Sequence, residues 1–140
     1  MLVGILVAAD ADAIQLINNT LSTVVGGGCT HGIHLAGGCD NSIIKGNRVH
    51  GTYATGAFIA SAAPSVNTLI EDNVFITEAA IVGCALSATT TGYFAHNFIG
   101  SAETLSNTLT GDTVIWCHDN WVSGAPGASG VISPVVDSDG

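Results

Sequence analysis

The stretch Asn67-Thr68-Leu69-Ile70-Glu71-Asp72-Asn73-Val74-Phe75-Ile76 reads as a strand, a sharp bend at an asparagine, and a second short strand. The same pattern occurs five times, over Ile14–Leu21, Ile43–Val49, Leu69–Phe75, Tyr93–Ile99 and Trp116–Val122. Asn19, Asn47, Asn73, Asn97 and Asn120 mark the bends, separated by 28, 26, 24 and 23 residues. Three positions before them stand Leu16, Ile44, Ile70, Phe94 and Cys117, and two positions after them Leu21, Val49, Phe75, Ile99 and Val122. A period in the twenties that keeps its apolar positions and one polar residue is the mark of a solenoid.

A second repeated strand precedes the Asn bends. Gly4-Ile5-Leu6-Val7-Ala8, Gly32-Ile33-His34-Leu35-Ala36, Gly56-Ala57-Phe58-Ile59-Ala60, Gly83-Cys84-Ala85-Leu86-Ser87 and Gly130-Val131-Ile132-Ser133 align with one another. The segment Thr104–Asp112 then has to supply the equivalent strand of the fifth turn. Each turn is a strand, a polar corner such as Gly37-Gly38-Cys39-Asp40, a second strand, the Asn bend and a third short strand. No stretch sustains the apolar spacing of three and four that a helix needs. Gly and Pro punctuate the loops Val24–Thr30, Ala62–Ser65 and Gly124–Gly127.

Stacking like on like turns this repeat into an all-β parallel β-helix of about five turns, a single domain over residues 1–140. With turns ~4.8 Å apart the prism is roughly 25 Å long. Each apolar column becomes a continuous inner ladder, and the five Asn side chains form a second ladder in which each amide donates to the next. Asparagine also tolerates the left-handed backbone of a tight corner, which places that conformation at the Asn bends. Because Met1 runs straight into the strand-like Leu2–Ala9, the chain is expected to be a segment of something longer.

Composition narrows the function. Charged residues are 9% of the chain, against roughly 25% in ordinary soluble domains. The surface is therefore built from Ser, Thr, Asn, Gly and Ala, or is covered by a partner. Lys45 and Arg48 are the two basic residues against 11 acids, a formal charge of −9. Nucleic-acid binding needs several Lys or Arg for phosphate, so it is excluded, and an anionic membrane surface is excluded with it. No apolar run approaches the roughly 20 residues of a membrane helix.

The repeats "SIIKGNRVHG" (Ser42–Gly51), "TLIEDNVFIT" (Thr68–Thr77) and "GYFAHNFIGS" (Gly92–Ser101) resemble those of the right-handed parallel β-helix proteins, the pectate-lyase-like group. They look most like the β-helical virion proteins of tailed bacteriophages. The resemblance covers nearly the whole chain. It implies a right-handed coil; the Ala/Thr/Gly-rich, Lys-poor character looks like the phage group in particular, and that resemblance implies a trimeric structural protein of a phage particle. The fold also hosts lyases, hydrolases, adhesins and spikes, so the resemblance says little about activity.

Two outward columns carry the candidate chemistry. Asn18, Gly46, Asp72, His96 and Asp119 stand just before the Asn residues, and Ile17, Lys45, Glu71, Ala95 and His118 one place earlier. Glu71, Asp72, His96, His118 and Asp119 thus form an outward cluster, with Lys45 one turn from Glu71. Asp72 and Asp119 should lie roughly 9–10 Å apart, at the wide end of the separation used by inverting glycosidases. The alternative is a solvated face with a modest Lys45–Glu71 cross-strand pair, and this is favoured. The resemblance to the lyases of the fold is poor here, since a basic catalytic residue has only Lys45 and Arg48 as candidates.

Cys29, His31, His34 and Cys39 invite a zinc reading, but no compact Cys-x-x-Cys pair exists and His34 alternates away from Ile33 and Leu35. A structural thiol or a Cys29–Cys39 disulfide is the better expectation. Cys84 and Cys117 read as small core residues. Asp10-Ala11-Asp12 and Asp137-Ser138-Asp139 read as turns rather than calcium ligands, and Gly26-Gly27-Gly28 as a flexible loop. No cofactor is expected.

A further outward column decides the favoured function. Four residues before each Asn come Gln15, Ile43, Leu69, Tyr93 and Trp116, and one after it Thr20, Arg48, Val74, Phe98 and Trp121. Strands apolar on both faces are normally covered on both faces, and an apolar, aromatic, charge-depleted stripe marks an interaction surface. The cover is either a loop such as Ala102–Asp112 or another subunit. Ile43, Leu69, Tyr93, Trp116, Phe98 and Trp121 are therefore expected at an oligomer interface, most simply of a homotrimer. The function expected is a non-enzymatic virion protein, a capsid-decorating, fibre or spike β-helix that also contacts other virion proteins. The alternative is an extracellular carbohydrate-binding or polysaccharide-cleaving β-helix using Asp72, His96 and Asp119.

Overall fold

The computed structural model describes residues 2–9, 11–23, 29–53, 57–77, 82–87, 89–101, 107–110 and 114–123. These form fifteen strands and no helix: β1 (Leu2–Val7), β2 (Gln15–Ile17), β3 (Thr20–Ser22), β4 (Cys29–Leu35), β5 (Ile43–Lys45), β6 (Arg48–Gly51), β7 (Ala57–Ser61), β8 (Thr68–Glu71), β9 (Val74–Thr77), β10 (Val82–Ala85), β11 (Thr91–Ala95), β12 (Phe98–Ser101), β13 (Asn107–Thr110), β14 (Val114–His118) and β15 (Trp121–Ser123). They pair into three sheets, in the orders β1-β4-β7-β10-β13, β2-β5-β8-β11-β14 and β3-β6-β9-β12-β15. Every pairing between these strands is parallel. The chain is an all-β solenoid of parallel sheets.

The apolar columns pair in register. Leu16, Ile44, Ile70, Phe94 and Cys117 face one another along the second sheet, and Leu21, Val49, Phe75, Ile99 and Val122 along the third. Ile44, Ile70, Phe94, Val49, Phe75 and Ile99 are fully buried, each side chain contributing about 1.5–3 kcal/mol by leaving water. Cys84 and Cys117 are buried in the same core.

The first sheet corrects one alignment. Ile33 pairs with Ile59 and His31 with Ala57, so Ala57 sits two residues away from the match with Ile33. A slip of two keeps every side chain on its own face, so the alternation of apolar residues cannot detect it. The fifth strand of this sheet is β13, within Thr104–Asp112. Gly130–Ser133, Gly26–Gly28, Asp137–Asp139 and the loop Gly124–Gly127 lie outside the described residues, as does most of Ala102–Asp112.

The left-handed step of the bend is also corrected. Asn18, Asp72, His96 and Asp119 have φ of 57°, 56°, 53° and 51°, and Gly46 has 66°. These are the residues before the Asn, and none of the five bend asparagines has positive φ. The turn made one residue earlier frees the Asn side chain to point inward. There Asn47 Oδ1 accepts from Asn19 N and from Asn19 Nδ2, both at 2.9 Å. Asn73 Oδ1 accepts from Asn47 N at 2.9 Å and Nδ2 at 3.0 Å, and Asn97 and Asn120 repeat the arrangement. The second Nδ2 proton is donated to a strand carbonyl, as from Asn73 to Ile44 O at 2.9 Å. The amide thus supplies the rung that the backbone loses at the corner, where an orphaned N–H would be costly. At Gly46 a Cβ would stand 2.3 Å from Asn18 Oδ1, the tip of an exposed side chain that can swing aside.

A second corner precedes the middle sheet. Ala13, Asn41, Asn67 and Thr89 have φ of 54°, 55°, 57° and 64°. Asp12 Oδ1 accepts from Asp40 N at 3.1 Å and Asp40 Oδ1 from Val66 N at 2.8 Å, so Asp12 is a turn residue.

Candidate functional site

The site is the outer face of the second sheet and the bend that follows it. Parallel register stacks Gln15, Ile43, Leu69, Tyr93 and Trp116 in one outward column, and Thr20, Arg48, Val74, Phe98 and Trp121 in the next. Tyr93, Trp116 and Trp121 are 48%, 46% and 70% exposed, while Ile43, Leu69 and Phe98 are half-buried. The Tyr93 and Trp116 rings meet edge to face with centroids 5.9 Å apart. Among the described residues, nothing covers this stripe fully.

Beside the stripe lies a shallow apolar depression of about 300 Å³ lined by Asn67, Thr68, Leu69, Gly92 and Tyr93. It exists because Gly92 lies directly against Thr68: a Cβ there would stand 1.9 Å from Thr68 O, and its φ is +136°. Periodicity gave no sign of this hollow. A glycine opening an otherwise apolar strand was the available signal.

The ionic side chains divide into two groups. Lys45 Nζ pairs with Glu71 Oε1, and with Asp72 Oδ2 at 3.3 Å. Its hydrogen bonds to Glu71, and then to Asp72, hold the ammonium protonated above the ordinary lysine range. On the far side, His118 Nδ1 lies 3.1 Å and His96 Nε2 3.6 Å from Asp119 Oδ2. The two imidazole rings are 5.4 Å apart and nearly perpendicular. Asp72 and Asp119 are thus each engaged with a different partner set, and the depression lies over neither. That is a poor arrangement for a paired acid and base sharing one substrate.

The Cys29–Cys39 disulfide is not formed; all four cysteines are free thiols. The Cys29 thiol donates to His31 O at 3.6 Å and the Cys39 thiol to Gly37 O at 3.5 Å. Cys39 is buried at the corner after β4, whereas Cys29 is half-buried at that strand's start. Burial, and then the neighbouring His34, lower the pKa of His31, and the two rings are 5.0 Å apart. Among the described residues, His96, His118 and Asp119 form the group whose ligand atoms converge, so the zinc reading at Cys29, His31, His34 and Cys39 is not assembled.

No helix among the described residues is long and apolar enough to cross a membrane. In comparisons with known proteins, no family model, no curated protein and no solved structure matches this chain.

Proposed function

We propose that the chain is a non-enzymatic structural solenoid, a right-handed parallel β-helix of about five turns with an Asn ladder, that assembles through its outer stripe. Its assembly is a homotrimer of a phage particle, a capsid-decorating, fibre or spike element in contact with other virion proteins at the particle surface. The side-chain amide bonds from Asn19 through Asn120 support the ladder, and the strong right-handed bias of parallel crossovers supports the hand. The resemblance of the repeats and the charge-poor composition support the virion setting.

The observation that carries the reading is the exposed aromatic stripe. Tyr93, Trp116 and Trp121 stand in solvent beside half-buried Ile43, Leu69 and Phe98, with the Gly92 depression ready to receive a side chain from a neighbour. Light scattering on the purified chain tests it. A mass near three times 14.0 kDa is expected, and a clean monomer overturns it.

The exposed Tyr93 and Trp116 rings beside a polar cluster favour a second reading, a carbohydrate platform, whether for binding or for cleavage at Asp72, His96 and Asp119. A monomer whose tryptophan fluorescence shifts with added polysaccharide would establish binding in place of assembly, and release of reducing ends would establish cleavage.

A further inference from the structure

We propose that His96, His118 and Asp119 form a binding site for a first-row divalent transition metal of the zinc type. The site joins two successive repeats: His96 follows β11, while His118 and Asp119 end β14 and open its bend. One ligand atom from each residue lies within 4.8 Å of those of the other two. A zinc ion with bonds of about 2.0–2.1 Å in tetrahedral geometry separates its ligand atoms by roughly 3.4 Å. The distances of 3.1 Å and 3.6 Å to Asp119 Oδ2 bracket that value.

The scaffold brings these groups to adjacent corners before any ion arrives. His96 N donates to His118 O at 3.3 Å, which ties the two backbones together. The Tyr93 ring meets the His118 ring at 85° with centroids 6.4 Å apart. Both His96 and Asp119 occupy left-handed corner positions, which throws their side chains outward together. Two imidazoles and one carboxylate suit zinc, cobalt, nickel and copper, whereas calcium and magnesium prefer an all-oxygen shell. A chain with formal charge −9 also draws cations towards it. The side chains are 52%, 35% and 72% exposed, so the ion would keep a position open to water or to a further ligand. The site lies at the edge of the stripe and stands whether or not the stripe is covered.

The test is calorimetric titration of Zn²⁺ into the full, tag-free chain after treatment with a chelator. One ion per chain is expected, with Ca²⁺ giving no heat. His96→Asn keeps a residue that tolerates the left-handed corner, and His118→Gln keeps a polar side chain. Each should weaken zinc binding by at least about tenfold, while His31→Ala leaves it unchanged. Zinc should raise the melting temperature of the wild type but not of those two variants, and the metal-free variants should melt with the wild type. Co²⁺ should give the visible bands of a nitrogen-containing site, lost in both variants. No binding at millimolar Zn²⁺, or binding that survives both variants, overturns the assignment.

Discussion

Phe94 and Tyr93 are adjacent on β11 and meet opposite fates. Phe94 is fully buried between Ile70 and Cys117, whereas Tyr93, between Leu69 and Trp116, is about half exposed. Both columns are apolar and both are stacked by the same parallel pairing. The difference is what stands opposite. Inside, three sheets close on one another and each column meets two others. Outside, a column meets only its neighbours along the sheet, so stacking alone cannot remove it from water. Burial here is decided by closure of the solenoid, and residue type follows it only on the inner face.

The inner face should break most sharply at the Asn corner. Asn73→Leu would leave Asn47 N, Asn47 Nδ2 and Ile44 O without their partner. At about 1–3 kcal/mol per orphaned group, a loss of at least about 3 kcal/mol is expected, read as a lower urea midpoint. Gly92→Ala comes next, because its Cβ collides with Thr68 O and its backbone is strained. About 3 kcal/mol is expected, with thermal melting as the measurement and Gly38→Ala, whose Cβ would stand 2.8 Å from Pro64 O without a positive φ, as a comparison for steric cost alone.

Alkaline pH offers a milder probe of the inside. Burial pushes the Cys84 and Cys117 thiols from 9.0 up to about 12 and about 11. Between those limits the unfolded chain has released the proton and the folded chain holds it, so stability falls as pH rises. It is undiminished below pH 9 and falls by up to about 1.4 kcal/mol per pH unit for each thiol above it. Urea unfolding followed from about pH 8 to about pH 10 should show that slope, and Cys84→Ala should reduce it while leaving the Cys117 share.

The outer face should respond in association before stability. Trp116→Glu with Leu69→Glu should lower the solution mass while the β-sheet circular dichroism is retained. Unchanged mass would place the interface elsewhere. Lys45→Ala should be the smallest change, with no resolvable shift in melting temperature in physiological salt, since the pair is solvent-screened.

The inner columns and the bend asparagines were legible in the sequence because each position keeps one residue type or one polarity through every repeat. The left-handed step was legible too but was overlooked: Asn18, Gly46, Asp72, His96 and Asp119 are all residue types that tolerate that backbone, and their column was read only for its outward chemistry. The corner at Ala13, Asn41, Asn67 and Thr89 stayed hidden because Ala and Thr rarely adopt positive φ, so Asn41 and Asn67 alone carried the signal. The registry slip between β4 and β7 preserved the faces and so left no trace in alternation. At the candidate site, the columns brought His96, His118 and Asp119 close in the sequence reading. The turning of Asp119 towards both imidazoles depends on corner geometry and became visible only in three dimensions.

The amide contacts of the Asn corner span 28, 26, 24 and 23 residues, and every strand pair joins neighbouring repeats. Folding in such a chain resembles a zipper. The first pair of repeats carries the cost of nucleation, and each later one docks on a finished template by closing a loop of similar length. Growth can start at any neighbouring pair and propagate either way, with the advancing sheet edge as the place where a foreign strand can intrude.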